Sequence, residues 1–531
     1  MRAADIVARR LRAAGVTRAY GMPGGEVLTL LDALRAEGIE FVLCHHETAG
    51  GFMAEGGHHM DGAPAVLLAT VGPGIANAFN FVANAQQDRV PVIVLTGCVD
   101  PVDAATYTHQ VFDHRAAFGP VCKATFTLEP GAAAVQVDRA VRIATGPRPG
   151  PVLIDVPISA AEAEVGGEAL VLPAPATPTA APDALATARE WVLKAERPIV
   201  LAGLDALRDG AGDALRAFCE ATGAPLVTTY KGKGLVPEDH SRVLGGAGLS
   251  PLADGHLLPL FRQADCVLLA GYDPIEMRTG WRDVWDPARQ RVIDVCAAPN
   301  DHGMHAAGLE IVADTAATLT ALTPEAAREA WPDGEPEAVR DALADAFAPE
   351  GWGPGAAIAA ARAACPEGTV VTVDSGAHRI LLSQQWACDG SGQMLQSTGL
   401  CTMGCALPLA IGAKRAAPDS PVVGFMGDAG FLMCTGELAS AAALGAPVVF
   451  VVFVDASLAL IEKKQRGMQL ANVGVELARH DYARIAEGFG GRGATVSDAA
   501  GMEAAVRDAL AADTFTVIAV EIDRRAYDGR I

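Results

Sequence analysis

Apolar residues in this chain are gathered into short β-branched runs separated by Ala-rich stretches with helical spacing. FVLCHH, AVLLAT, PVIVLTG and PVLIDVP mark the first third, and RPIVLAG, APLVTTY, DCVLLAG and RVIDVCA the middle. TVVTVDS, PVVGFMG, PVVFVVFV and FTVIAVEI mark the last third. Runs that are apolar on both faces and end at Gly, Pro or Asp suit a parallel sheet covered by helices on both sides. The alternation predicts an α/β protein of three doubly wound parallel-sheet domains, over residues 1–165, 186–325 and 351–531. A Pro/Ala stretch at 170–184 reads as an exposed linker, and an acidic, Pro-containing stretch at 323–339 precedes the third block.

Composition narrows the class. Lys and Arg number 41 against 63 Asp and Glu, a net charge of −22, so the chain lacks the basic footprint of a nucleic-acid or anionic-membrane binder. The 11 cysteines are odd in number, form no CxxC pair and sit mainly in apolar contexts. They read as reduced packing residues of a cytoplasmic protein. MRAADIVARRLRAAGV has helical spacing and no apolar core, so it is expected to be a first helix and not a signal peptide. The stretch Gly62–Gln87, free of charge, is broken by Gly72-Pro73-Gly74 and cannot span a bilayer.

The densest chemistry lies in residues 422–457. VVGFM is followed by Gly427-Asp428-Ala429-Gly430, then FLMCTGELASAAALGA, then PVVFVVFV ending at Asp455-Ala456-Ser457. This reads as strand, tight turn, helix, strand. A right-handed crossover would lay both strands parallel, with their C-terminal ends on one edge. Asp428 and Asp455 then meet at the edge where open parallel sheets bind ligands. Two hard carboxylates beside a glycine turn and a helix N-terminus suit Mg²⁺ holding a diphosphate. Either Asp alone would be an ordinary turn residue.

That unit resembles the thiamine diphosphate signature, in which Gly-Asp-Gly is followed, one helix later, by Asn-Asn or Asn-Asp. The resemblance implies metal ligands at Asp428, Asp455 and the main-chain carbonyl of Ser457. It places Gly427, Ala429, Gly430, Leu458 and Ala459 around the cofactor. Ala429 stands for the last Gly and Val454 for the first Asn, and the oxygen ligands survive both changes.

Further motifs extend the resemblance over essentially the whole chain. GMPGG at 21–25, HHETAGGFMAEG from His45 and TVGPGIANA from Thr70 are similar, in order and spacing, to the first domain of the acetolactate synthase and pyruvate oxidase family. This implies cofactor contacts at Gly24, Gly25, Pro73 and Asn77. It also implies that Glu47 bonds the aminopyrimidine nitrogen and promotes the tautomer whose amine removes the thiazolium C2 proton. A carboxyl group in a largely dry pocket can share a proton in this way. Without those flanks Glu47 would be an acidic residue in a first helical turn. His45 and His46 read as packed or hydrogen-bonded residues. Gln110 stands where the family places a Gln facing the active site. His109, in place of the usual aromatic, either donates to a carboxylate or carbonyl or fills the aromatic's space.

In the third block, Asp374-Ser375-Gly376-Ala377-His378 resembles the family's D-x-G-Q-H. Its backbone and His meet the diphosphate, and Ala377 replaces the Gln. Ser397–Pro408 resembles SGGLGTMGFGLP, which makes Met403 the apolar wedge that bends the cofactor. Cys401 takes the place of a Gly whose carbonyl receives the pyrimidine amine.

The resemblance implies pyrimidine-binding, central Rossmann-like and diphosphate-binding domains in a thiamine diphosphate- and Mg²⁺-dependent enzyme. The expected activity is decarboxylation and carboligation of a small 2-oxo acid, pyruvate first among candidates. The alternatives are a non-ligating decarboxylase releasing an aldehyde, and a catalytically silent cofactor-binding subunit. No FAD is expected: the middle block lacks GxGxxG after its first strand, and TTYKGKGLVPEDH and GYDPIEMRTGW look like the flavin-free members. SLALIEKKQRGMQL lacks the Trp-containing stretch of acetolactate synthases, and Ala459 stands at the Gly of their YGM-like motif. VEIDRRAYDGRI leaves little room for a C-terminal lid, which disfavours coenzyme A thioesters. A homodimer or dimer of dimers is expected, with each active site built from two chains.

Overall fold

A computed structural model describes residues 1–166, 173, 176–300 and 302–531. Of the linker expected at 170–184, residues 170–172, 174 and 175 lie outside the described residues, and its last three residues already belong to the helix Pro182–Lys194. Three six-stranded sheets follow one another along the chain. The first contains β1 (Arg18–Met22), β2 (Glu40–Leu43), β3 (Ala65–Ala69), β4 (Val92–Cys98), β5 (Ala124–Thr127) and β6 (Val152–Pro157). The second contains β7 (Pro198–Ala202), β8 (Leu226–Thr229), β9 (Val243–Ala247), β10 (Cys266–Ala270), β11 (Arg291–Cys296) and β12 (Leu309–Val312). The third contains β13 (Val370–Val373), β14 (Met394–Gln396), β15 (Val422–Gly427), β16 (Val449–Val454), β17 (Arg492–Val496) and β18 (Thr516–Glu521). Among the described residues every pairing within these sheets is parallel.

The first and third sheets share one plan. Their orders are β2-β1-β3-β4-β6-β5 and β14-β13-β15-β16-β18-β17. In each, the order reverses between the first and third strands, and ligands of open α/β sheets bind at such a point. The middle sheet, read from its other edge, runs β9-β8-β7-β10-β11-β12, the order of a dinucleotide-type fold.

First and third domains meet through two helices, Glu47–Asp61 and Ala406–Ala416. A Cβ on Gly56 would fall 2.2 Å from the Leu409 carbonyl oxygen, and one on Gly412 1.9 Å from that of Met53. The backbones touch because both positions are glycine. A continuous apolar cluster therefore runs from Phe52 and Leu67 of the first domain to Val452 and Val517 of the third.

The stretch 323–339 is less of a spacer than its composition predicts. Trp331 is buried, its indole N–H donating to the Pro198 carbonyl at 2.7 Å, and a helix begins at Glu335. The side chain anchors the passage between domains to the start of β7.

Candidate functional site

At the switch point of the third sheet, Asp374 follows the last residue of β13, and the adjacent β15 ends at Gly427. Asp374 is fully buried and accepts the Gly404 and Cys405 amides, each at 3.0 Å. This ties the loop 397–405 to the sheet edge. Gly430 lies against the same carboxylate: a Cβ there would sit 1.8 Å from Oδ2. Arg379 grips the loop from the other side, donating to the Ser397 carbonyl at 2.5 Å and to Cys401 Sγ at 3.2 Å. Cys401 has φ 57°, a left-handed conformation that explains why the related motif carries glycine there.

The two aspartates of the 422–457 unit come together as their strand order requires. Asp428 opens the helix Asp428–Cys434. Its Oδ1 accepts the Ala429 amide at 2.9 Å and its Oδ2 the Ala456 amide at 2.8 Å. Asp455 accepts the Ser457 amide at 2.9 Å. Burial, and then the charge of Asp428, pushes the Asp455 pKa up to about 7; burial raises that of Asp428 as well. Two desolvated carboxylates turned to one place are a donor set for a hard divalent cation. A bridge between residues 457 and 476 uses the Ala456 carbonyl and the Leu458 amide and leaves the Ser457 carbonyl aside.

The diphosphate side of the expected cofactor also has its partners. His378 is buried, stacks on Phe453 with ring centroids 5.6 Å apart, and has its pKa lowered to about 3 by burial. Its Nε2 and the Ser375 hydroxyl are buried without hydrogen-bond partners, as polar atoms reserved for a ligand are. Both border a cavity of about 270 Å³, beside the N-terminus of the helix Ala377–Gln385. Backbone N–H groups at that terminus favour phosphate oxygens. The residues present fit a metal-held diphosphate.

Every third-domain residue expected at the cofactor borders this one cavity: Gly376, Ala377 and His378, Cys401 and Met403, Gly427 through Gly430, Asp455, and Ser457 through Ala459. The first-domain set does not. Among the described residues, none of Gly24, Gly25, Glu47, Pro73, Asn77, His109 or Gln110 borders it. Glu47 instead begins its own helix, buried, with Oε2 accepting Asn77 Nδ2 at 3.0 Å. Pro73 opens the short helix that ends at Asn77, and Gly24 backs onto Thr70. His109 and Gln110 are exposed on a loop, Gln110 with φ 59° and packed over Gly72.

Asn77 borders a separate cavity of about 460 Å³ between the first and third domains, and Met403 borders both cavities. Here the structure explains His45 and His46. Their backbone amides donate to Glu437 Oε1 at 2.8 and 2.9 Å, so a third-domain carboxylate positions the turn that presents Glu47. Glu437 had a signal in the sequence, as a lone acid within the apolar run FLMCTGELASAAALGA. Two further wall residues had none: Arg278, exposed at the cavity from the middle domain, and Tyr527, buried in the C-terminal segment.

Comparison with known proteins agrees with this geometry. The N-terminal TPP binding domain of thiamine pyrophosphate enzymes matches residues 1–117, the central domain residues 185–322, and the C-terminal TPP binding domain residues 374–520. Acetolactate synthase of Bacillus subtilis is 30% identical over 98% of this chain and 93% of its own length. The catabolic acetolactate synthase of Raoultella terrigena is 30% identical over 98% and 95%. A probable 2-ketoarginine decarboxylase of Pseudomonas aeruginosa is 31% identical over 92% and 88%.

Proposed function

The chain belongs to the thiamine pyrophosphate enzyme family, and within it we propose a decarboxylating carboligase for a small 2-oxo acid, pyruvate first. The observation that carries this reading is the pairing of Asp428 and Asp455 on a cavity bordered by His378 and Met403. Acetolactate synthases among its relatives support carboligation.

When bound, thiamine diphosphate supplies a nucleophilic carbon and an electron sink for the bond that breaks as CO₂ leaves. Asp428, Asp455 and the Ser457 carbonyl would hold its Mg²⁺, with Ser375 and His378 at the diphosphate. Glu47, oriented by Asn77, holds and shares the proton that activates the cofactor. Its burial keeps that proton from water. Arg278 offers a cation for the substrate carboxylate. Tyr527 and Leu460 wall the cavity with apolar surface and so exclude water.

Glu47 comes, in this reading, from a second copy of the chain. Its absence from the border of the Asp428 cavity supports a dimer with composite sites. All 11 cysteines are unpaired, which suits a reducing cytoplasm. Among the described residues no helix is long and apolar enough to cross a membrane.

Product analysis tests the proposal. With pyruvate and Mg²⁺-thiamine diphosphate, an acetolactate-type product is expected. Aldehyde alone would make the enzyme a non-ligating decarboxylase, which the Pseudomonas relative favours. Absence of turnover across a panel of 2-oxo acids would leave a cofactor-binding subunit.

A further inference from the structure

The first domain contains another cavity, of about 210 Å³, that includes none of the residues assigned above. It lies past the C-terminal ends of β4, β5 and β6, with Val71, Val99, Val111, Phe112 and Pro157 as apolar wall. Val111 and Phe112 are each 38% exposed, so the cavity opens to solvent on that side. His114 is buried at its lining, 4% exposed. Its Nδ1 lies 2.9 Å from Asp155 Oδ1 and its ring meets Phe112 edge-on at 4.5 Å. Nε2 has no hydrogen-bond partner.

This arrangement is specific about what it accepts. Asp155 Oδ1 can take the hydrogen of Nδ1, and in that tautomer Nε2 is left as the acceptor. A buried acceptor without a donor is destabilising, and an incoming donor would relieve it. The carboxylates of Asp155 and Asp113 border the same space and disfavour an anion. We propose that the cavity binds a small neutral molecule with an apolar body and one hydroxyl or N–H donor, received by His114 Nε2. Because Val111 and Phe112 follow Gln110 directly, occupancy would bear on the loop that carries His109 and Gln110. The site does not depend on the cofactor assignment.

Three probes of similar size test it on the full-length chain by calorimetry: phenol, anisole and benzoate. Phenol should bind at least tenfold more tightly than anisole, which lacks the donor, and benzoate should not bind. His114→Phe should weaken phenol at least tenfold and leave anisole unchanged. Should that variant fold poorly, Val111→Trp, which fills the cavity from its solvent side, should abolish binding of both. Crystals soaked in 4-bromophenol should show the bromine in this cavity with the hydroxyl at Nε2. Phenol that does not bind, binds no better than anisole or is indifferent to both variants, or a 4-bromophenol bromine found elsewhere, would overturn the proposal.

Discussion

Asp428 Oδ2 accepts the Ala456 amide at 2.8 Å, so the acid that follows β15 is latched to the turn that follows β16. The latch holds Asp455 beside it, and Ala456 adopts φ 55° to make the turn. With no cation between them, two buried carboxylates repel one another and any diphosphate brought near. Metal removal by a chelator at mildly alkaline pH should therefore release thiamine diphosphate from the holoenzyme, as measured by thiochrome fluorescence of the filtrate. Cofactor retained at full occupancy after metal analysis shows none left would contradict the assignment.

Glu47→Gln keeps the shape and the contact with Asn77 but cannot share a proton. Cofactor affinity should be largely unchanged. Deuterium uptake at the cofactor's C2 should slow by a factor on the order of 10²–10⁴, the usual value of a positioned acid–base group. Uptake at the wild-type rate would remove Glu47 from its role.

Gly430→Ala tests the packing that supports the site. The new methyl would meet Asp374 Oδ2 at 1.8 Å, and that carboxylate already holds two amides of the loop 397–405. Overpacking of this kind costs about 1–3 kcal/mol. The urea midpoint should fall accordingly with an unchanged slope. A wild-type midpoint would show that the helix and loop yield freely.

Glu55 predicts a pH effect away from the metal site. It is fully buried in the helix Glu47–Asp61, where Asn84 Nδ2 donates to it at 3.3 Å. Burial pushes its pKa up to about 7, with Lys231 pulling the other way. An unfolded Glu titrates near ~4.3, so the folded state keeps its proton longer. The stability this confers is complete below the unfolded value and is lost as pH rises through about 7. Glu55→Gln stays neutral throughout. It should melt close to wild type at about pH 5 and above wild type at about pH 8. The same melting difference at both pH values would show that Glu55 does not titrate in this way.

The chain announced its fold through apolar β-branched runs, and fell silent where a strand is short, glycine-bearing or polar, as in MLQ, VLGGA and ATFT. The apolar runs gave four strands per block; each sheet has six. Five of the six extra strands, β5, β9, β12, β14 and β17, lie at sheet edges. RGATV and LEIV, for example, alternate with exposed residues and read as loop. β1 is interior, but RAYGM is short and carries Gly21. The third-domain site was legible because its residues follow strands at a switch point and stay near one another in sequence. Arg278 and Tyr527 reach the cavity only by tertiary packing, and no local spacing foretells that. Glu437 was visible as an oddity, but its partners, the amides of His45 and His46, lie in another domain.

A composite site requires Glu47 and Asp428 to serve one cofactor across two chains. Glu47→Gln and Asp428→Ala chains, each nearly inactive alone, should be mixed in equal amounts under conditions of subunit exchange verified by native mass spectrometry. Each heterodimer would then hold one doubly damaged site and one with neither substitution. Random two-fold pairing should restore about a quarter of wild-type turnover. If both residues served the same site within one chain, every site would keep a lesion. No recovery of activity in fully exchanged mixtures would contradict the composite site.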